Sequence, residues 1–422
     1  MLTREENELL TRTGPNTPMG QLLRRFWVPV LLAEELPEPD CPPVRLRIMG
    51  EDLVAFKDTM GRIGVLDAYC PHRRAHLFWG RNEECGLRCV YHGWKFDVEG
   101  NCVDMPNEPP ESRFKEKVKQ TAYPAREWGG VIWAYMGPRE LMPPEPPQLE
   151  WARVPASHRL VSKRLQESNW AQAVEGGIDS SHVSFLHRTL APAPADGRAP
   201  TRLDLMVRDT APRFTVKQTE YGLLIGARRD AGDDSYYWRI TQFLLPWYTM
   251  IPGALEPDQP LSGHAWVPID DEHVWTFTVT WHPDRPLTAV ELAQLRSGYG
   301  IHCEVDANYI PIRNARNNYL IDRQAQKTVS YTGIKGISEQ DMAVQESMGP
   351  IVDRTREHLG TADTAIIAYR RLLLRLARNL QRGEEPAAAC RPEAYRVRSA
   401  SVILKREVPF DQGARERLLA RV

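Results

Sequence analysis

The spacing of hydrophobic and polar positions changes several times along the chain. Residues 2–34 carry apolar patches among charged positions, which predicts helix. The proline-rich residues 36–43 then interrupt the chain, because proline lacks a backbone donor and fixes φ. From Val44 to about Gly137 the apolar positions form short runs without a helical period, as in DLVAFKD and GVIWAYMG. This block therefore predicts a small β domain.

Helical and strand periods are mixed in the rest of the chain, beyond a second proline-rich linker at residues 142–148. Residues 202–284 contain several strand candidates, such as VWTFTVTWH. Three stretches are predicted helical: 164–190, 287–299 and 339–382. The chain is therefore expected to have an α+β fold, in which a small all-β domain precedes a larger domain with an antiparallel sheet.

Three units follow from these breaks in a chain of 422 residues, a length that exceeds the usual size of one domain. Residues 1–42 are predicted to be a helical segment that packs on the large domain. Residues 43–140 are predicted to form the β domain, and residues 141–422 the large domain.

Charge and cysteine content exclude several classes of protein. Lys and Arg total 54 against 55 Asp and Glu, a formal net charge of -1, whereas a nucleic-acid binder usually shows a basic excess. No apolar run approaches the roughly 20 residues that span a bilayer, and the first residues lack the apolar core of a signal peptide. The seven cysteines are too sparse for a secreted disulfide scaffold. We therefore expect a cytoplasmic protein with reduced thiols and without a nucleic-acid or membrane partner.

Two pairs of metal-binding side chains lie in the predicted β domain. One residue separates Cys70 from His72, two separate Cys89 from His92, and sixteen lie between the pairs. Two Cys with two His can hold a zinc ion, or a [2Fe–2S] cluster in which two thiolates bind one iron and two imidazoles the other. Aromatic flanking residues such as Tyr91 favour the cluster, because they can shield it from water. The spacing is that of the Rieske signature. A structural zinc site remains the alternative interpretation.

A second set of candidate ligands lies in the large domain. His182 and His187 are five residues apart, close to the spacing of one helical face, and Asp179 lies about one turn earlier. Two histidines and a distant carboxylate form the facial triad of non-haem Fe(II) oxygenases. A pair of histidines on a helix is more often structural, but the neighbouring Asp179, Asn169 and Glu175 favour a metal site. These three polar residues are the predicted catalytic residues.

With both motifs, the chain resembles over nearly its whole length the large oxygenase subunit of the Rieske non-haem iron aromatic-ring oxygenases. It is similar in particular to the branch that includes phthalate dioxygenase, phenoxybenzoate dioxygenase and dehydrodivanillate O-demethylase. The resemblance implies a helix-grip-like catalytic domain with mononuclear iron at His182 and His187. It also implies that Asp179 bridges to the Rieske centre of a neighbouring subunit in a head-to-tail homotrimer.

The resemblance further implies a third iron ligand, an Asp far downstream of the histidines. Asp341 matches the family's acidic D-x4-E context best, because Glu346 follows it at that spacing. Asp363 is interpreted as a helix N-cap and Asp322 as half of an ion pair. Both stay open as alternatives to Asp341, as does Asp353.

The resemblance implies a terminal oxygenase that uses O₂ and externally supplied electrons. Such an enzyme hydroxylates or cis-dihydroxylates an aromatic acid, or removes the methyl group of a methoxylated aromatic. No G-x-G-x-x-G follows a strand, so the sequence predicts no nicotinamide or flavin site of its own. A separate flavin or iron–sulfur reductase, or a ferredoxin, is therefore the expected partner. The alternative is a Rieske electron-transfer protein without oxygenase chemistry.

Candidate substrate contacts come from residue type and position. A substrate carboxylate favours an arginine, and Arg239 is the candidate, with Arg228 and Arg229 as alternatives. The other candidates are apolar: Val183, Phe185, Phe243 and Trp247. The competing interpretation of the arginines is that they form ion pairs at the surface. The competing interpretation of Phe243 and Trp247 is that they pack in the core. Apolar residues between the histidines indicate an acid larger than phthalate, such as a biaryl, a diaryl ether or a methoxylated ring.

Overall fold

The computed structural model describes residues 1–190, 201–253, 255 and 258–422. In these residues the α-helices are α1 Arg4–Thr11, α2 Pro18–Leu23, α3 Glu150–Arg153, α4 Trp170–Ile178, α5 Arg202–Arg208, α6 Ala289–Leu295, α7 Ala325–Thr328, α8 Ile337–Ser347, α9 Thr364–Gln381, α10 Phe410–Gly413 and α11 Arg415–Leu418. The strands in the same residues are β1 Trp27–Leu32, β2 Val44–Ile48, β3 Glu51–Lys57, β4 Ile63–Asp67, β5 Arg81–Glu83, β6 Gly86–Arg88, β7 Lys95–Phe96, β8 Cys102–Asp104, β9 Ala122–Tyr123, β10 Ala125–Trp128, β11 Val131–Tyr135, β12 Arg159–Gln166, β13 Arg213–Gln218, β14 Gly222–Gly232, β15 Ser235–Leu244, β16 Tyr248–Ile251, β17 Leu261–Pro268, β18 Val274–Trp281 and β19 Ala400–Lys405. None of the described helices is both long and apolar enough to cross a membrane.

Two four-stranded antiparallel sheets form the small β domain, with strand orders β2-β3-β4-β9 and β5-β6-β7-β8. Successive residues of a strand point to opposite faces of its sheet, and β3 uses both faces. Leu53 and Ala55 pack in the main core of the protein, whereas Val54 and Phe56 pack in a separate core that contains the predicted cluster ligand Cys70. The prediction of a small all-β domain is confirmed.

An eight-stranded antiparallel sheet is the centre of the large domain. Its order is β12-β18-β17-β16-β15-β14-β13, and β19 pairs with β15. Helix α4 packs on β15, β16 and β17, and helix α9 packs on β13 and β14. The buried side chains of α9 include Tyr369, Leu373 and Ala377, which share one face of the helix. The predicted α+β fold with a helix-covered antiparallel sheet is confirmed.

The prediction of helix over residues 2–34 is wrong at its C-terminal end. Helices α1 and α2 cover part of the segment and pack on α9. Residues Trp27–Leu32 instead form β1, which pairs with β11 in a third sheet. Every residue of β1 is buried, so its apolar run carries no period that distinguishes a buried strand from a buried helix. The limits of the three predicted units stay a prediction.

The prediction of one helix over residues 164–190 is also wrong. The segment contains the end of β12, the helix α4, and an irregular loop with a short 3-10 turn at His182–Ser184. Asn169 caps the start of α4, and Asp179 ends it in an extended conformation with φ -78° and ψ 122°. The two histidines therefore lie in the loop after α4, and their helical spacing does not reflect a helix.

Helix α4 is fixed to its surroundings by a buried ion pair. Both carboxylate oxygens of Glu175 accept hydrogen bonds from Arg354, at 3.2 and 3.1 Å, and from Arg370, at 2.8 and 3.0 Å. Burial alone would raise the pKa of Glu175, but the two guanidinium groups lower it. Arg370 belongs to α9, so Glu175 connects the two helices that cover the sheet.

We expect that Glu175→Ala lowers the free energy of unfolding by about 3–5 kcal/mol, because it leaves the buried guanidinium group of Arg354 without its carboxylate, while Arg370 keeps its pair with Glu357. The control is Glu8→Ala, which removes a pair with Arg12 at the surface and should cost less than about 1 kcal/mol. Urea denaturation followed by circular dichroism measures both. Equal midpoints for the two variants would show that the buried pair has no special role.

Candidate metal centres

Two tight loops of the β domain carry the predicted cluster ligands. In each loop the cysteine carbonyl accepts a hydrogen bond from the residue four positions later, Arg74 to Cys70 and Gly93 to Cys89, both at 2.9 Å. Arg74 and Gly93 have positive φ, 60° and 79°, which turns the chain back in the same way. At Gly93 a Cβ would lie 2.5 Å from Pro106 Cγ, so a side chain there would be strained. The chain therefore turns in the same way after each cysteine, with His72 two residues after Cys70 and His92 three residues after Cys89.

The structure brings the four predicted cluster ligands together. The thiols of Cys70 and Cys89 are hydrogen-bonded to each other, which lowers the pKa of Cys89 to about 6 and raises that of Cys70. The ring centroids of His72 and His92 are 4.4 Å apart. Both thiols are buried, whereas both imidazoles are half-buried. The site therefore has a sulfur end in the core and an imidazole end near the surface.

These residues fit a [2Fe–2S] cluster held by two thiolates and two imidazoles. Nδ1 of His92 is buried and has no hydrogen-bond partner in the described part of the chain, a cost that a metal bond removes. The Trp94 ring stacks on His72 with centroids 4.4 Å apart, and its Nε1 donates to Asn107 at 2.7 Å. Trp94 therefore orients an imidazole and covers it on one side.

The second set of ligands converges in the large domain. One ligand atom from each of His182, His187 and Asp341 lies within 4.8 Å of the others. The two Nε2 atoms are 3.2 Å apart, and Asp341 Oδ1 lies 3.5 Å from Nε2 of His182 and 3.3 Å from that of His187. Two imidazole nitrogens and one carboxylate oxygen around one point are the donor set of a non-haem Fe(II) site.

Two different elements supply this donor set. The histidines come from the loop after α4, and Asp341 comes from the first half of α8. Asp179, at the end of α4, accepts hydrogen bonds from the Ser181 N–H at 2.6 Å and from His182 Nδ1 at 3.3 Å. Burial alone would raise the pKa of Asp179, but His182 lowers it. The Asp179 carboxylate therefore orients His182 with its Nε2 towards the ligand cluster.

The alternative third ligands lie outside the cluster. Asp322 accepts the N–H groups of Gln324 and Ala325 at 2.8 and 2.9 Å, so its carboxylate is used by the backbone at the start of α7. Asp363 is at the N-cap position of α9, but its side chain accepts the Gly360 N–H at 2.7 Å and makes no hydrogen bond to that helix. Asp353 accepts the N–H of Thr355 at 3.0 Å. Among the four candidates, the geometry favours Asp341.

Asn169 and Glu175, predicted to be catalytic, have structural roles instead. Asn169 Oδ1 accepts the Ala171 N–H, and its Nδ2 donates to the carbonyls of Thr11 and Asp271. Glu175 is occupied by its two arginines, as described above. The polar groups of both residues are used to place α4, so the prediction that they take part in catalysis is not supported.

Arg239 is buried in the large domain beside the loop of the histidines. Its Nε donates to Ser180 Oγ at 3.0 Å, and it forms no ion pair in the described residues. Burial lowers the pKa of Arg239. A buried guanidinium without a carboxylate is unfavourable, so this position favours an anionic ligand.

Arg229, by contrast, holds the loop itself. Its Nη2 donates to the Ser180 carbonyl at 2.6 Å and to Ser184 Oγ at 3.3 Å, and its Nε donates to the Asp209 carbonyl. Burial, with a smaller contribution from Arg239, lowers the pKa of Arg229 to about 10. Arg228 points away and covers the ring of Tyr236, 4.4 Å from its centroid.

The four apolar candidates for substrate contact divide into two groups. Phe243 and Trp247 are completely buried in the main core, where Phe243 packs edge-on against Tyr369. Core packing, the competing interpretation, therefore describes them better than substrate contact. Val183 and Phe185 lie in the histidine loop, where Phe185 is 44% exposed and contacts Tyr331.

Sequence reasoning missed Ser180 and Gln340. Ser180 joins the two buried arginines to the loop. The side-chain carbonyl of Gln340 lies 2.7 Å from His187 Nδ1. Serine and glutamine do not form a sequence motif that marks a metal site. The one available signal for Gln340 was its position next to Asp341.

Comparisons with known proteins agree with both centres. The chain matches the Rieske [2Fe-2S] domain family over residues 26–123 and the family described as LigXa C-terminal domain like over residues 134–415. It is 45% identical to the phthalate 4,5-dioxygenase oxygenase subunit of Pseudomonas putida, over 91% of this chain and 88% of the relative. It is 33% identical to the 5,5'-dehydrodivanillate O-demethylase oxygenase subunit of Sphingobium sp. (strain NBRC 103272 / SYK-6), over 93% and 85%.

A solved structure shows the same fold. The dicamba monooxygenase bound to dicamba superposes with a TM-score of 0.60 at 18% identity, over 86% of this chain and 99% of that one. With both domains matched and relatives aligned over most of their length, the chain belongs to the Rieske non-haem iron oxygenases, which carry a [2Fe–2S] cluster and a mononuclear iron.

Proposed function

We propose that Cys70, His72, Cys89 and His92 hold the Rieske cluster and that His182, His187 and Asp341 hold the mononuclear Fe(II) of this terminal oxygenase. The convergence of the three ligand atoms within 4.8 Å carries the proposal. A facial set of three ligands leaves coordination positions open for O₂ when iron is bound. The rival function, electron transfer without oxygenase chemistry, leaves this second donor set without a role.

The two centres are proposed to meet between copies of the chain in a head-to-tail homotrimer. The imidazole end of the cluster site lies near the surface, where the exposed Tyr91 ring contacts the His92 ring at a centroid distance of 3.9 Å. Exposed Tyr331 lies beside the iron site, where its N–H donates to the carbonyl of Arg188, the residue after His187. Large exposed apolar side chains around both sites support a protein contact there. Asp179, hydrogen-bonded to His182, would then lie between the partner's cluster and the iron.

Electrons are proposed to come from a flavin or iron–sulfur reductase or a ferredoxin, as expected for the oxygenase subunit of a multicomponent system. The cytoplasm is the proposed location, since all seven cysteines are free thiols and two of them form the cluster site.

The substrate is proposed to be an aromatic carboxylic acid, with its carboxylate at Arg239. Support comes from the burial of Arg239, its lack of an ion pair in the described residues and its hydrogen bond to Ser180, which adjoins the histidine loop. The name of the 45% identical relative also specifies an aromatic carboxylate, phthalate. Val183 and Phe185 are the proposed apolar contacts, since both belong to the histidine loop. The proposed reactions are ring hydroxylation, cis-dihydroxylation and O-demethylation; the names of the two relatives specify a dioxygenase and an O-demethylase.

Metal content tests the assignment of the third ligand. The wild-type chain should contain about three irons, two of them in the cluster. Asp341→Ala should retain about two and keep the visible spectrum of the cluster, because only the mononuclear site loses a ligand. Asp322→Ala is the control and should keep all three. Loss of iron from the Asp322 variant instead would contradict the assignment.

Turnover with a generic reductase tests oxygenase against electron-transfer function. The purified chain is given a panel of benzoates, phthalates, diaryl ethers and methoxylated biaryls. The measurements are oxygenated products, O₂ consumption and formaldehyde release. The wild-type chain should oxygenate at least one carboxylated ring. His182→Ala should abolish product while its cluster is still reduced, because the electrons then have no site at which to activate O₂. Undiminished product formation by His182→Ala would contradict the proposal.

Steady-state kinetics test the role of Arg239. Arg239→Gln removes the charge that faces the carboxylate and should raise KM by about 10- to 100-fold, since hydrogen bonds to charged groups are worth about 1.5–3 kcal/mol. Arg228→Gln, on the opposite face of the sheet, is the matched control and should leave KM within about twofold. Equal KM values for the two variants would exclude Arg239 as the carboxylate contact.

A further inference from the structure

The side chain of Gln340 lies behind His187, on the side away from the other iron ligands. Its Oε1 is 2.7 Å from His187 Nδ1, and its Nε2 donates to the Ile334 carbonyl at 2.9 Å. Gln340 is 8% exposed, so water does not compete freely for either contact. The residue belongs to α8 and is the direct neighbour of Asp341 in the sequence.

The contact with Ile334 determines which way the amide of Gln340 faces. A carbonyl such as that of Ile334 only accepts hydrogen bonds, so the NH₂ group of Gln340 must point to it. Oε1 is then the atom presented to His187, and an oxygen there requires the proton on Nδ1. The lone pair of His187 Nε2 is thereby directed towards Asp341, 3.3 Å away, and towards the other ligands.

The two histidines consequently have different acceptors behind them. His182 donates to the carboxylate of Asp179, whereas His187 donates to a neutral amide. The site already contains the carboxylates of Asp179 and Asp341, and a neutral acceptor adds orientation without a third negative charge. Because Gln340 and Asp341 are adjacent on one helix, any shift of α8 moves a ligand and the support of another ligand together.

We propose that Gln340 is a positioning residue that fixes the tautomer and ring orientation of His187 for metal binding and joins that orientation to the position of Asp341. This inference rests on the proposed iron site. Partners behind a metal-bound histidine typically change metal affinity by about 10- to 100-fold when they are removed.

The test uses the full chain with its Rieske cluster intact and Co(II) as a spectroscopic probe of the mononuclear site. A chelator removes the mononuclear metal, and Co(II) is titrated while its visible d–d absorption and the cluster absorption are recorded. Gln340→Leu should bind Co(II) about 10- to 100-fold more weakly than the wild type, with altered d–d bands. The cluster absorption should not change.

The matched control is Gln345→Leu. Gln345 is a buried glutamine of the same helix whose Oε1 accepts from Gln166 Nε2 at 2.7 Å, remote from His187 in the hydrogen-bond network. This variant also removes a buried amide from α8 and should bind Co(II) within about threefold of the wild type. A structural role of Gln340 would affect both variants alike and would not alter the Co(II) bands.

The outcomes separate the inference from the proposed function. If the wild-type chain binds no Co(II) at this site, both fail. If the wild type binds and Gln340→Leu binds with the same affinity and the same bands, the inference alone is overturned. Equal weakening by Gln340→Leu and Gln345→Leu also overturns it. Selective weakening with altered bands for Gln340→Leu is the result expected.

Discussion

The proposed iron site depends on where helix α4 ends. Three of the residues that define the site, Asp179, His182 and His187, follow one another just beyond the last turn of α4. The helix is held at its start by Asn169 and near its end by Glu175, each through buried hydrogen bonds to distant parts of the chain. A shift of α4 would move the histidines away from Asp341, which is carried by a different helix. The position of the histidines relative to Asp341 therefore depends on the anchoring of α4.

Buried charge is the second constraint on the site. Arg229 and Arg239 both approach the backbone or hydroxyl of Ser180, and neither has a carboxylate partner within the described ranges. Burial of two cations lowers the stability of the protein because both charges lose water. Each of the two arginines has a separate role in the site. Arg229 fixes the histidine loop through backbone and hydroxyl oxygens, whereas Arg239 keeps donors available beside the iron site. The same arrangement that holds the loop thus favours an anionic substrate.

Spacing alone predicted much of the chemistry. Cys70, His72, Cys89 and His92 are close in sequence, and the matching turns after each cysteine make that spacing sufficient. Asp341 was found through its similarity to a family pattern. The helical prediction over residues 164–190 failed, because Gly176 and Gly177 weaken the helix and Asp179 ends it, while the apolar pattern continues. The roles of Gln340 and Arg229 in supporting the histidine loop could not be predicted, since their partners come from distant segments and leave no periodic signal in the sequence.

The central claim is that electrons from the cluster of one chain reach the iron of its neighbour through Asp179. Mixing two inactive variants within one oligomer tests it directly: Cys70→Ser lacks the cluster, and His182→Ala lacks the iron. In a head-to-tail ring that contains both in equal amounts, about a quarter of the neighbouring pairs combine an intact cluster with an intact iron site. Co-expressed and co-purified mixtures should therefore recover about a quarter of wild-type turnover, whereas each variant alone stays inactive. Mixed oligomers that remain inactive would contradict the account, because electron transfer would then be confined to a single chain.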